Sequence, residues 1–258
     1  MKVVILQSSF LPWLGFFDLV KKADKFVFLD DVQYTIRDWR NRNRIRTANG
    51  WGWLSVPVVL ERSYYEYKIN EIKLNNQINW KAKHLNAIVN SYNKSPYFDQ
   101  IFPELEKAIN KQHNYLVELN HDIIYMLCDY LGLNRQKFVF AEKLEIPNEI
   151  KSNERLIAIM EKMGGVKEYL SGVAAKSYLK EELYEKRGIK VLWQDFPYPY
   201  YQQLLWGGDK FISHLSVLDL LFNHGKESLD IISGVKIFPR PPDVNCVRPE
   251  EFYEKNTI

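Results

Sequence analysis

The sequence predicts an α/β fold: a Rossmann-like, mostly parallel sheet flanked by helices, with a helical insertion and a basic β-hairpin. Three observations carry this. Residues 3–29 read strand, loop, helix, strand; residues 79–131 carry helical periodicity; and alternation of strand and helix returns from residue 138. A βαβ unit of about thirty residues implies parallel strands joined by a right-handed crossover.

The first strand is Val3-Val4-Ile5-Leu6, short, β-branched and stopped by the polar Gln7-Ser8-Ser9. Beyond Pro12 and Gly15, residues Phe16, Phe17, Leu19, Val20 and Ala23 recur at helical spacing, and a second strand, Phe26-Val27-Phe28-Leu29, ends at Asp30-Asp31. In such sheets ligands gather beyond the carboxyl ends of the strands, which places Gln7 to Pro12 and Asp30 to Gln33 on one rim. Trp51 to Val59 reads as a strand entered through the turn Ala48-Asn49-Gly50, with Arg40 to Arg46 as the first arm of a hairpin. Helices are expected over Trp80 to Tyr92, Phe98 to Asn110 and Asn114 to Leu131, the last capped by Asn114 and stopped by Gly132. There follow a strand at Phe138 to Phe140, a helix from Ser152 or Asn153 to Met163, a strand at Glu168 to Leu170, a helix from Ser177 to Lys186, a strand at Val191 to Trp193 and a helix over Phe211 to Phe222. Residues 1–75 and 135–235 are thereby assigned to an α/β core, 76–134 to a helical subdomain and 236–258 to a tail rich in Pro and charge.

Composition bounds the function. Apolar residues make up 46% and charged residues 26% of the 258, enough for a core and too apolar for a disordered chain. The net charge of +3 is too small to announce a nucleic-acid binder, so local distribution must carry any such reading. Neither a signal-peptide apolar core nor a run of about 18 apolar residues occurs, and a cytoplasmic protein without a membrane span is expected. Cys128 and Cys246 make no CxxC pair, and the five histidines show no ligand spacing, so no metal site is expected. The 7 Trp, 16 Tyr and 14 Phe exceed what a core needs. Aromatic rings beside polar groups suit sugar and nucleotide sites, and equally suit half-buried strands.

Three constellations could carry chemistry. Residues Arg37 to Arg46 hold five arginines and one acid. In a strand, Arg40, Arg42, Arg44 and Arg46 share one face and Asn41, Asn43 and Ile45 the other. Guanidinium forks match phosphate oxygens, so the row suits a diphosphate or an RNA backbone; the plain alternative is an edge strand kept soluble by charge. Gln7 to Gly15, a strand-to-helix turn, could present backbone N–H groups to an anion, or be a rigid Pro-containing turn. Asp30-Asp31, with Gln33, could bind ribose hydroxyls, hold magnesium or act as base, or serve as counter-ions to the arginines. Ser171-Gly172 and Gln194-Asp195 repeat the pattern of a polar pair at a strand's carboxyl end.

Several motifs stand out in order and spacing: Gln7-x-x-x-x-Pro12-Trp13-x-Gly15, Leu29-Asp30-Asp31-Val32-Gln33, Asn41-Arg42-Asn43-x-Ile45, Trp53-Leu54-x-Val56-Pro57, Trp80-x-x-Lys83-His84, Leu170-Ser171-Gly172, Gln194-Asp195-Phe196 and Leu215-Ser216-Val217-Leu218-Asp219. Together they resemble the WbqC-like family of bacterial surface-polysaccharide gene clusters. The chain departs from the family at Ser8, where proline is usual, and at Val173-Ala174-Ala175, where glycine-rich residues are usual. The resemblance implies a place in O-antigen or related glycan biosynthesis, as an aminoacyl (glycine) transferase acting on the amino group of a nucleotide-linked deoxyamino sugar. On that reading Asp30, Asp31 or His84 takes the amine's proton. Substrate contacts fall to Gln7, Pro12, Trp13, Gln33, Asn41, Arg42, Asn43, Arg44, Trp53, Lys83, Ser171, Gly172, Gln194, Asp195, Ser216 and Asp219. The donor is either ATP with Mg2+, forming an acyl-adenylate, or glycyl-tRNA. The alternatives are a non-catalytic nucleotide-sugar or RNA binding protein, and a glycosyltransferase, although Asp30-Asp31-Val32 lacks DxD spacing.

Overall fold

The computed structural model describes residues 1–204, 210–241 and 244–247. Its strands are β1 (Lys2–Leu6), β2 (Lys25–Phe28), β3 (Arg42–Thr47), β4 (Gly50–Ser55), β5 (Val58–Val59), β6 (Lys73–Leu74), β7 (Phe138–Phe140), β8 (Glu168–Ser171), β9 (Lys190–Trp193), β10 (Lys210–Ile212) and β11 (Asn245–Val247). Its helices are α1 (Leu14–Lys22), α2 (Trp80–Tyr92), α3 (Phe98–Asn110), α4 (Leu116–Leu131), α5 (Ser152–Met163), α6 (Glu181–Glu185), α7 (Val217–His224) and α8 (Ser228–Ile232).

The central sheet is parallel throughout, in the order β7-β2-β1-β8-β9. Both faces are covered, as the unbroken apolar runs of β1 and β2 require. Val4, Phe26 and Phe28 pack with α1, α2, α3, α4 and α7 in one apolar cluster. Val3, Ile5, Val27 and Leu29 pack on the opposite face with Leu156, Ile157, Ile159 and Met160 of α5 and Tyr184 of α6. Strand order runs outward from β1 through β2 to β7, then returns to β8 beside β1. That reversal between β1 and β8 is the topological switch point of a doubly wound sheet.

Helix ends follow from local chemistry. Helix α4 begins at Leu116 rather than just after Asn114, because Glu118 Oε2 accepts the backbone N–H groups of Asn114 and Tyr115 at 2.7 and 3.0 Å. It ends at Gly132, whose φ of 70° is the left-handed conformation of a helix stop. The hairpin pairs β3 with β4, Arg44 opposite Trp53 and Arg46 opposite Trp51. Its first arm starts at Arg42, and Arg40 lies in the preceding turn. The second arm stops at Ser55, before Pro57, which lacks the N–H a ladder needs. The helix expected over Ser177 to Lys186 is a 3-10 turn (Val173–Ser177) followed by the short α6. Of the expected tail, residues 242–243 and 248–258 lie outside the described residues, and 245–247 pair with β10. Among the described residues no helix is long and apolar enough to cross a membrane.

Candidate functional site

Two cavities open along the carboxyl edge of the sheet and share Leu6. The larger, about 700 Å3, lies at the switch point between β1 and β8. Gln7 follows β1, Ser171 and Gly172 end β8, and the first turn of α5 supplies Ser152, Asn153 and Arg155. Tyr178 and Lys180 flank the opening, and Leu6, Leu29, Val32 and Leu156 give it apolar walls. A helix N-terminus presents N–H groups without intrahelical partners and the positive end of the dipole, so this crevice suits a phosphate. No carboxylate or imidazole is among the described residues that line it.

The two carboxylates after β2 are buried, and they point to opposite faces of the sheet, as consecutive residues of an extended segment do. Asp30 Oδ1 accepts the Ser8 N–H at 2.8 Å, and Oδ2 accepts from His121 Nε2 of α4 at 2.8 Å. Asp31 pairs with Arg155 of α5, whose Nη1 also donates to the carbonyls of Pro147 and Ile150 at 3.0 and 3.3 Å. One carboxylate therefore fixes the β1–α1 loop and the other the approach to α5. Neither lines either cavity.

The smaller chamber, about 280 Å3, is lined by Leu6, Ser9, Trp13, Phe16, Trp39, Arg40, Asn43 and His214. Trp13 meets Phe196 edge-on at 5.4 Å and lies parallel to His214 at 6.4 Å; Tyr198 also stacks on His214, at 4.7 Å. The Trp13 ring folds back over Gly15, where a Cβ would stand 2.3 Å from it. Gly15 thus allows close approach of a tryptophan, where the sequence suggested close approach of an anion. Asn43 Nδ2 donates to the Leu11 carbonyl at 2.7 Å and holds that residue at a φ of 47°.

The arginine stretch is not an exposed row. Arg44 and Arg46 are only 7% and 4% exposed. The guanidinium of Arg42 lies 4.2 Å from the Trp53 ring, and that of Arg44 lies 4.7, 4.9 and 5.1 Å from Trp53, Trp51 and Trp39. Attraction to the ring faces offsets part of the cost of desolvating these cations. Like charges two residues apart need no anion when tryptophans lie across the hairpin.

Other expected residues are dispersed through the fold. Asn41 Nδ2 donates to the Val56 carbonyl at 2.9 Å and pins the hairpin. Ser216 Oγ accepts the Leu218 N–H at 3.3 Å and caps α7, and the carbonyl of the buried Pro12 accepts the Val217 N–H at 2.9 Å. Asp219, fully buried, accepts from Tyr92 Oη, Tyr201 Oη and Gln203 Nε2 at 3.0, 2.9 and 2.7 Å. Burial raises its pKa above the ordinary carboxylate value, against those three bonds and nearby Arg46. Gln194 Nε2 donates to the Gly15 carbonyl and to Asp18 Oδ2, both at 2.8 Å. Asp195, Gln33 and Lys83 are exposed away from both cavities. His84 is wedged between Phe10 and Trp80, ring centres 5.9 and 5.3 Å away, and burial pushes its pKa down to about 4; it lines neither cavity.

Of the expected contacts, the larger cavity gathers Gln7, Ser171 and Gly172, and the chamber gathers Trp13 and Asn43. The sequence pattern does not mark Arg155, Tyr178, Lys180 or His214 as contacts, and it marks Arg40 only as a member of the arginine row. For Arg155 a signal existed: a helix starting near Ser152 after a parallel strand must open on the same rim as α1.

The uncharacterized protein Rv1507c of Mycobacterium tuberculosis is 37% identical over 233 residues, covering 90% of this chain and 97% of the relative. No solved structure matches the chain. The WbqC-like protein family matches residues 7–231, which take in every element from α1 to α7 and all of the residues lining the two cavities except those of β1. The chain belongs to the WbqC-like protein family.

Proposed function

We propose that the chain is an amide-forming aminoacyl transferase of surface-glycan biosynthesis, acting on the amino group of a nucleotide-linked deoxyamino sugar. The observation that carries this reading is the 700 Å3 crevice at the switch point, with the α5 N-terminus, Arg155 and Lys180 on one side and apolar walls on the other. Backbone N–H groups and Lys180 offer donors for a diphosphate, and Tyr178 offers a ring face for base or sugar. In the transfer the amine nitrogen attacks the activated carbonyl of the donor, an acyl-adenylate or the ester of glycyl-tRNA. A C–N bond forms, the C–O bond to adenylate or ribose breaks, and the amine's proton passes to a base. Because no carboxylate or imidazole is among the described residues lining the larger cavity, His214 of the adjoining chamber is assigned that role in place of His84.

The test is turnover with UDP- or dTDP-linked amino sugars, glycine and either ATP–Mg2+ or charged tRNA, read by mass spectrometry. A product heavier by one glycyl unit supports the reading, and Lys180→Ala should weaken nucleotide-sugar binding. Nucleotide-sugar binding without product from either donor would refute transfer. It would favour the second reading, a non-catalytic nucleotide-sugar binding protein, which the absence of a carboxylate or imidazole from the larger cavity's described lining also supports.

A further inference from the structure

The smaller chamber has a composition of its own: four aromatic rings and one cation. Phe16, Trp13, Trp39 and His214 form its walls, and the only charged side chain among its described lining is Arg40. That guanidinium is fixed in place. Its Nη1 donates to the Ser8 carbonyl at 3.1 Å and to Gln7 Oε1 at 3.4 Å, and its Nε lies 3.5 Å from Asp38 Oδ2. Asp38 is itself shared, accepting from Thr35 Oγ1 and from the Trp39 N–H. A guanidinium carries five N–H donors, and among the described residues the Nη2 pair of Arg40 has no partner. The Arg40 side chain is 12% exposed. Burial lowers its pKa below the ordinary value, and Asp38 and Asp30 oppose that shift.

The chamber's backbone is also held away from its relaxed state. Leu11 and His214, both non-glycine, sit at φ of 47° and 59°, a conformation that costs energy and persists only where the surroundings enforce it. At His214 this backbone accompanies stacking of the imidazole with both Trp13 and Tyr198. Pockets for drug-sized ligands run to roughly 300–1,000 Å3, so a chamber of about 280 Å3 takes something smaller. A preorganised guanidinium with two uncommitted N–H groups, in a chamber walled by aromatic rings, matches a planar anion with two oxygens on a short body.

We propose that this chamber is a second ligand site, which binds the carboxylate of a small organic acid through Arg40. The site adds a ligand to the reading above and stands whether or not transfer occurs. Where transfer does occur, it implies that a free carboxylic acid reaches the protein, because an aminoacyl ester has no carboxylate for Arg40 to hold.

The probes are acetate and glycine, titrated into the full chain by saturation-transfer NMR and by tryptophan fluorescence, since Trp13 and Trp39 line the chamber. Both should bind in competition for one site, and acetamide, the uncharged isostere of acetate, should not. Arg40→Gln should weaken acetate binding about tenfold or more, the effect of losing a charged hydrogen-bond donor, and Arg40→Lys should restore part of it. If Arg40→Gln does not fold, Trp39→Ala takes its place: that ring is 39% exposed at the rim, and its loss should lower acetate affinity in a folded protein. Absence of acetate and glycine binding to the wild-type chain, equal binding of acetamide, or unchanged acetate affinity in the folded variants would overturn the proposal. Nucleotide-sugar binding is measured alongside in Lys180→Ala: its loss with acetate binding intact shows two separate sites, and its absence from the wild type sinks the reading of the larger cavity alone.

Discussion

Replacing Arg155 by leucine leaves the Asp31 carboxylate buried, its side chain 7% exposed, without the guanidinium that now neutralises it. Breaking a buried ion pair from one side costs about 3–5 kcal/mol, because the remaining charge has neither water nor partner. The reverse replacement, Asp31→Leu, is expected to cost less, since Arg155 keeps the carbonyls of Ile146, Pro147 and Ile150 within 3.5, 3.0 and 3.3 Å. The double variant exchanges the pair for apolar side chains and should fall well short of the sum, with a coupling of about 2–3 kcal/mol. Urea and thermal unfolding followed by circular dichroism measure all three. At about 2–4 °C per kcal/mol for a domain of this size, Arg155→Leu should melt roughly 6–20 °C below the wild type. Additivity within about 0.5 kcal/mol, or a larger loss for Asp31→Leu than for Arg155→Leu, would refute the assignment of this pair as the clamp of the α5 entry.

Three further outcomes follow from the geometry. His84 has a folded pKa of about 4 because burial disfavours its charged form, against roughly 6.5 in the unfolded chain. The unfolded state therefore binds the extra proton between those values, and stability is lost as pH falls from about 6.5 to 4, by about 3 kcal/mol. His224, also lowered by burial, acts in the same direction; His84→Gln should flatten most of the slope in urea titrations at stepped pH. Gly15→Ala places a methyl group 2.3 Å from the Trp13 ring, so it should shift tryptophan fluorescence and cost about 1–3 kcal/mol through overpacking; an unchanged spectrum would contradict the seating of Trp13. Asp219→Ala removes the buried acceptor of the Tyr92 and Tyr201 hydroxyls and one of the two acceptors of the Gln203 amide, with an expected loss of about 3–5 kcal/mol measured by differential scanning calorimetry.

The elements set by local pattern were legible in the sequence. The βαβ opening, the helices α2 and α3 and the Gly132 stop follow from spacing, β-branching and glycine alone, and they recur in the structure at those residues. The rim could also be named, because a parallel sheet places Gln7 and Ser171 on one edge before any contact is known. What pattern could not supply is which partner each polar group finds. Asp30 reads as a base and is bound by His121, 91 residues away; Asp219 reads as a substrate contact and is bound by Tyr92, 127 residues away. The arginine row is a related case: period two told which side chains of β3 share a face, and the tryptophans over Arg42 and Arg44 come from the other arm of the hairpin and from the turn before β3. His214, by contrast, carries no motif at all, and Arg40 stands out only as a member of the arginine row. Their relation exists only where the turn before β3 and the turn before α7 close on the end of β1.

Consecutive residues of α4 grip both walls of the rim. Asn120 Nδ2 donates to the Arg40 carbonyl at 2.9 Å and reaches Ser8 Oγ at 3.4 Å, while His121 holds Asp30. Segments some thirty residues apart in sequence are thus tied to a single helical turn by two residues that line neither cavity. The consequence is a rim that can be retuned without being touched. A substitution on the hidden side of α4, or a one-residue deletion that rotates the helix by about 100°, would change the spacing between Ser8 and Arg40. Ligand preference would then shift although every residue facing the cavities stayed the same.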